Sequence, residues 1–164
     1  IGLTMATLSV ETPLLDAKQT IANAPLPMEV IVHGAPVVMY LEHDLYENTK
    51  TLSPIGKEDN LYVDNTTLVL VDAKGYEHPV HRDNNCRNHM ISYKDLCYLP
   101  FLKELNDLGV NQFRIEGSHY GLEDLRSIIV AYKKALTDLS TCSELFDSLN
   151  PTHAGFTLGA FQFD

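Results

Sequence analysis

The feature that most constrains the fold is a strand, a helix and a second strand set end to end within about thirty residues, the spacing of a crossover unit with parallel strands. Leu3 to Val10 is a short apolar run, Thr12 and Pro13 supply a cap and a first helical residue, and Leu14, Leu15, Ala17, Ile21 and Ala22 recur at helical spacing. Pro25 and Pro27 stop that helix, because proline lacks the backbone donor and pushes the residue before it toward extended backbone. Met28 to His33 is the strand that follows. Such a unit belongs to the α/β class.

The pattern changes after Gly34. Val37 to Leu41 is apolar, Asn48 to Asn60 is a polar loop broken by Pro54 and Gly56, and two β-rich runs, Leu61 to Asp64 and Thr67 to Asp72, flank Asn65-Thr66. Ala73-Lys74-Gly75 then turns the chain into His78-Pro79-Val80, and the whole stretch predicts a small antiparallel insertion over about 45–93. The α/β alternation resumes at Lys94. Leu99, Leu102, Leu105 and Leu108 lie on a helix that Gly109 ends, and Gln112 to Glu116 is a strand. In the last helix Leu122, Leu125, Ile128, Ile129, Tyr132, Leu136 and Leu139 form one apolar face expected to pack on the sheet, with Glu123 and Asp124 in its first turn. The tail, about 150–164, carries glycine and aromatics and can add a strand. The chain reads as one domain, 1–164.

A net charge of −10, from 12 basic against 22 acidic residues, repels polyphosphates, so nonspecific nucleic-acid binding by this segment is not expected. No apolar run approaches the ~20 residues of a membrane span. Three Cys leave one without a partner, which fits the reducing cytoplasm better than a disulfide framework. The opening Ile1-Gly2-Leu3 has neither initiator Met nor signal-like region, and is expected to lie inside a longer protein.

Glu29-Val30-Ile31-Val32-His33-Gly34-Ala35 is similar to a strand motif Glu-x-Phe-x-His-Gly-Ala. The runs Leu70 to Gly75, Pro79 to Asp83, Cys86-Arg87-Asn88-His89, Lys94 to Cys97, Arg114 to Gly117 and Ala131 to Leu136 resemble, in order, the segments that follow that motif in the collagenase-like peptidases, peptidase family U-thirty-two. Ala154 to Gly159 resembles the closing segment of that family. The resemblance implies part of a (β/α) TIM-like barrel carrying the insertion. A complete barrel takes ~250 residues, so the remainder of a longer chain or a family paralogue would supply the rest. It also implies an active face at the strand carboxyl ends, where the loops after Glu11, His33 and Glu116 gather. The activity implied is hydroxylation of an RNA base or a quinone precursor; the alternatives are a genuine peptidase and a non-catalytic binding subunit.

His33, Glu29 and Glu116 are the candidate catalytic residues. His33 stands at a strand end, as a substrate ligand, a general acid or a structural histidine. Carboxylates on strands are costly to bury unless paired, and Arg82, Arg87 or Arg114 are candidate partners as well as substrate-binding groups. Ser118 stands where the family reads Arg, and His119 is the candidate that compensates. The family holds an iron-sulfur cluster through four Cys. Cys86 and Cys97 match two of them, while Val37 and Asp44 stand at the other two, so the metal candidates are Cys86, Cys97, Asp44 and His43, for a cluster or a single ion. Cys142 reads as a core residue. No His-Glu-x-x-His pair, no Gly-x-Ser-x-Gly elbow and no phosphate-cradling glycine loop is present.

Overall fold

The first crossover unit forms as its spacing dictates. In the computed structural model, which describes residues 2–47 and 68–163, strand β1 (Ala6–Thr7) pairs in parallel with β2 (Met28–Gly34), and helix α1 (Leu14–Asn23) connects them. Pro13, expected as the first helical residue after a Thr12 cap, instead occupies the N-cap position of α1 with φ −59° and no side-chain cap bond, and Ala17 and Ile21, one turn apart, bury the inner side of the helix. The apolar run Leu3 to Val10 yields only two strand residues, because the backbone turns at Ser9–Thr12.

The described residues form a mixed α/β protein of two compact units, one of residues 2–35 and 94–163 and the other of Pro36–Tyr93. In the first, β2 is the central strand of a five-stranded sheet. β1 lies beside its start, and the antiparallel strand β7 (Asp95–Cys97) lies beside its end on the same edge. Strand β8 (Gln112–Glu116), found where the sequence predicts it, runs parallel along the other edge from Glu29↔Gln112 to Gly34↔Glu116. The tail adds β9 (Phe156–Thr157), parallel to β7. The sheet is open, and the barrel closure that the resemblance implies is not formed within the described residues.

Val30 and Val32 of β2 enter the core with Leu96, Leu99, Leu102, Leu105 and Val110, each 2% exposed or less. Full burial of one such aliphatic side chain stabilises by about 1.5–3 kcal/mol. Leu102 and Leu105 belong to α2 (Leu102–Asp107), which ends in a left-handed Gly109 at φ +90°. Helix α3 (Leu122–Thr137) differs from its expected face. Ile128, Ala131, Tyr132 and Ala135 are its buried residues, while Leu122 is 79% and Leu136 45% exposed. The apolar residues cover more than one side of α3, and the core takes the side whose alanines permit close approach. A shorter helix, α4 (Cys142–Ser148), buries Cys142 as a core residue.

The second unit is a four-stranded antiparallel sheet in the order β3 (Val37–Leu41), β6 (Asn88–Ile91), β5 (Glu77–Arg82), β4 (Leu68–Val71). β3, placed by the sequence ahead of the insertion, belongs to this sheet through the register Val37↔Ile91 to Leu41↔Asn88. The polar loop 48–60 and the run Leu61 to Asp64 lie outside the described residues. Tyr46 is buried under the sheet, and its hydroxyl donates to the Val80 carbonyl at 2.9 Å.

Gly34 is where β2 meets both neighbours. Its φ is +153°, and a Cβ there would stand 2.6 Å from Glu116 Cβ and 2.8 Å from the Glu116 carbonyl oxygen. Gly34→Ala is therefore expected to destabilise the protein by about 2–3 kcal/mol, read as a fall in the urea midpoint at unchanged slope. An unaltered midpoint would show that β8 yields at this contact.

Candidate functional site

Three stretches singled out in the sequence meet on β2. His33 is in register with Cys97 on one side and Ile115 on the other, and Gly34 with Glu116. Because β1, β2 and β8 are parallel, their carboxyl ends lie at one end of the sheet.

His33 is 1% exposed, its ring edge-on to those of Tyr132 at 5.6 Å, Phe156 at 5.9 Å and Tyr120 at 6.0 Å. Its Nδ1 has no hydrogen-bond partner among the described residues. Burial lowers its pKa from 6.5 to about 4 against the opposing pull of Asp95, so the ring is neutral at physiological pH. Cys97 is fully buried, its Sγ 3.8 Å from the Tyr132 hydroxyl, and burial pushes its thiol pKa up.

Glu29, Arg114 and Glu116 form a charged row on one face of the parallel pair. Arg114 is ion-paired with Glu116 and stands 3.6 Å from Glu29, whose Oε1 also accepts the Thr7 hydroxyl at 2.9 Å. The row faces away from Val30 and Val32, as strand alternation requires.

Asp95 is the residue that sequence reasoning missed. It is wholly buried, at the start of β7. It accepts hydrogen bonds from the Tyr120 hydroxyl at 2.8 Å, the Thr152 backbone N–H at 2.7 Å and the His153 backbone N–H at 3.2 Å. Nδ1 of His153 lies 2.9 Å from its Oδ1. Burial alone would raise this carboxyl, but the bonds from His153, Tyr120 and Thr152 outweigh it and hold the pKa below the ordinary value. The available signal was an acid at the head of the apolar run Leu96-Cys97-Tyr98-Leu99, which needs partners if buried.

The remaining candidates lie in the second unit, apart from exposed His119 in the turn after β8. One Arg82 nitrogen is 2.5 Å from Asp44 Oδ2 and donates to Cys86 Sγ at 2.9 Å. Arg87 pairs with Asp83 at 2.8 Å and lies over the Tyr40 ring at 5.8 Å. The His43 carbonyl accepts the Asn88 side-chain amide. Each of the three candidate anion-binding arginines is thus ion-paired with a carboxylate of its own chain.

These donors do not fit a four-iron cluster. Val37 offers no donor atom, and Cys86 and Asp44 share the Arg82 guanidinium. Among the described residues no three His, Cys, Asp or Glu side chains are arranged to hold a metal ion, and no helix is long and apolar enough to cross a membrane.

The chain matches the model of peptidase family U32 over residues 1–151. It belongs to peptidase family U32. Comparisons with curated proteins and with solved structures gave no match.

Acid sensitivity separates buried His33 from buried Asp95. Between pH 6.5 and about 4 the unfolded chain protonates His33 and the folded chain does not, so stability falls as pH falls through that window, by about 3 kcal/mol. The contribution of Asp95 is intact above the ordinary carboxyl pKa and is lost as pH drops below it. His33→Leu should flatten the upper slope in urea titrations at stepped pH and leave the lower one. A wild-type slope in the variant would place the titrating group elsewhere.

Proposed function

We propose that this chain is the carboxy-terminal part of a (β/α) barrel enzyme of family U32, that substrate lies along the face bearing Glu29, Arg114 and Glu116, and that its chemistry is acid–base hydrolysis of a peptide bond. The barrel reading is supported by the parallel set β1, β2 and β8, with valines packed into the core on one face, a charged row on the other, and carboxyl ends together. Two carboxylates beside a guanidinium offer both acceptors and a donor, matching the alternating N–H and C=O groups of a peptide.

The observation that carries the choice of chemistry is the Arg82 guanidinium between Asp44 and Cys86. Hydroxylation of an RNA base or quinone precursor, the other chemistry implied by the family resemblance, calls there for a redox cluster. In this chain the Arg82 guanidinium contacts two of the positions that would bind it, Asp44 and Cys86. Hydrolysis needs only groups that bind substrate and move protons.

Full-length protein incubated with gelatin is expected to cleave it with or without chelator, and Glu116→Gln to lower kcat/KM by about 10-fold or more. Absence of cleavage, together with iron and acid-labile sulfide in anaerobically purified protein, would reverse the choice in favour of hydroxylation.

A further inference from the structure

A buried polar cluster of the first unit, centred on Asp95, lies outside the charged row and outside the candidate catalytic, substrate-binding and metal residues read from the sequence. Asp95 holds the tail through the backbone N–H groups of Thr152 and His153, and the Thr152 hydroxyl adds a contact at 2.9 Å. Those bonds would be enough to fasten a loop. The carboxylate also engages the His153 ring, with Nδ1 2.9 Å from Oδ1, and Tyr120 donates to the same oxygen from the opposite chain segment.

A carboxylate bound to Nδ1 fixes both the tautomer and the plane of an imidazole, leaving Nε2 as the nitrogen that can exchange protons with something else. The His153 side chain is 21% exposed while that of Asp95 is 1% exposed, so the anchor is sealed and the ring is reachable.

The pair stands at the active end of the sheet by register alone. Asp95 precedes Leu96, which is paired with Gly34, and Gly34 is paired with Glu116. Asp95 is itself paired with Phe156, whose ring meets that of His33. An independent sign comes from His33, which is buried beside Tyr120 with an unpartnered Nδ1. A buried polar atom without a protein partner is ordinarily satisfied by water or by a ligand group.

We propose that His153 is the proton-transfer residue of this site, with Asp95 and Tyr120 as its positioning residues. The inference rests on the hydrolytic reading. Nε2 takes a proton from water as the water oxygen bonds to the carbonyl carbon, and the imidazolium is balanced by the Asp95 carboxylate. The same proton then passes to the amine nitrogen as the C–N bond breaks, and the ring ends neutral.

Two readouts on full-length protein test this. In long-range proton–nitrogen NMR the neutral His153 ring should carry its proton on Nδ1, the tautomer that free histidine disfavours, and Asp95→Asn should abolish that preference. With gelatin peptides, His153→Ala should lower kcat by about 100-fold or more with KM little changed, and added imidazole should restore part of the rate. An Nε2–H tautomer in the wild type, or wild-type turnover in a folded His153→Ala protein, would overturn the proposal. If the wild type cleaves nothing, the hydrolytic reading fails and the step written on it falls too. The tautomer then decides separately whether the oriented pair exists.

Discussion

The architecture depends on β2 being paired along both edges. β1 and β7 share one side and β8 occupies the other, so Gly34 meets Leu96 and Glu116 at once. That junction leaves no room for a Cβ, and it brings the end of one crossover unit against the next. The position of His33, the aim of the Glu29, Arg114 and Glu116 row and the entry of β7 all follow from it. A strand held on two edges with valines in the core is a rigid support, and binding groups are better placed on such a support than on free loops.

The second organising contact is Asp95. A buried carboxylate is tolerated only when its lone pairs are filled, and here Tyr120, Thr152 and His153 fill them. One residue thereby ties together β7, the turn after β8 and the tail. Charge is managed differently in the exposed row and in the second unit, where each guanidinium faces a carboxylate of the same chain. Exposed pairs of this kind add little stability, but they remove the free cations that an anionic substrate would seek.

The elements were legible where periodicity is local and strong. β8 spans the residues expected of it, β2 extends one residue further, and α1 begins one residue later than expected, after Pro13, and ends before the two prolines. Legibility failed where two faces competed. α3 carries enough apolar residues for more than one stripe, and nothing in its spacing favours Ala131 and Ala135 over Leu122 and Leu136. The candidate site was half visible. His33, Cys97 and Glu116 meet through β2, and within the second unit Cys86 and Asp44 share Arg82.

By itself the sequence determined the alternation of strands and helices, the break at Gly34, the resumption at Lys94 and the run of motifs that places the chain in its family. Those depend on side-chain period, proline and glycine, which act over a few residues. Only the tertiary structure decided that Asp95 finds Thr152 at a separation of 57 residues, and that Arg82 reaches Asp44 across 38. Such pairings are fixed by where whole strands and turns come to rest, and a hydrogen bond to a distant partner leaves no periodic trace in the chain.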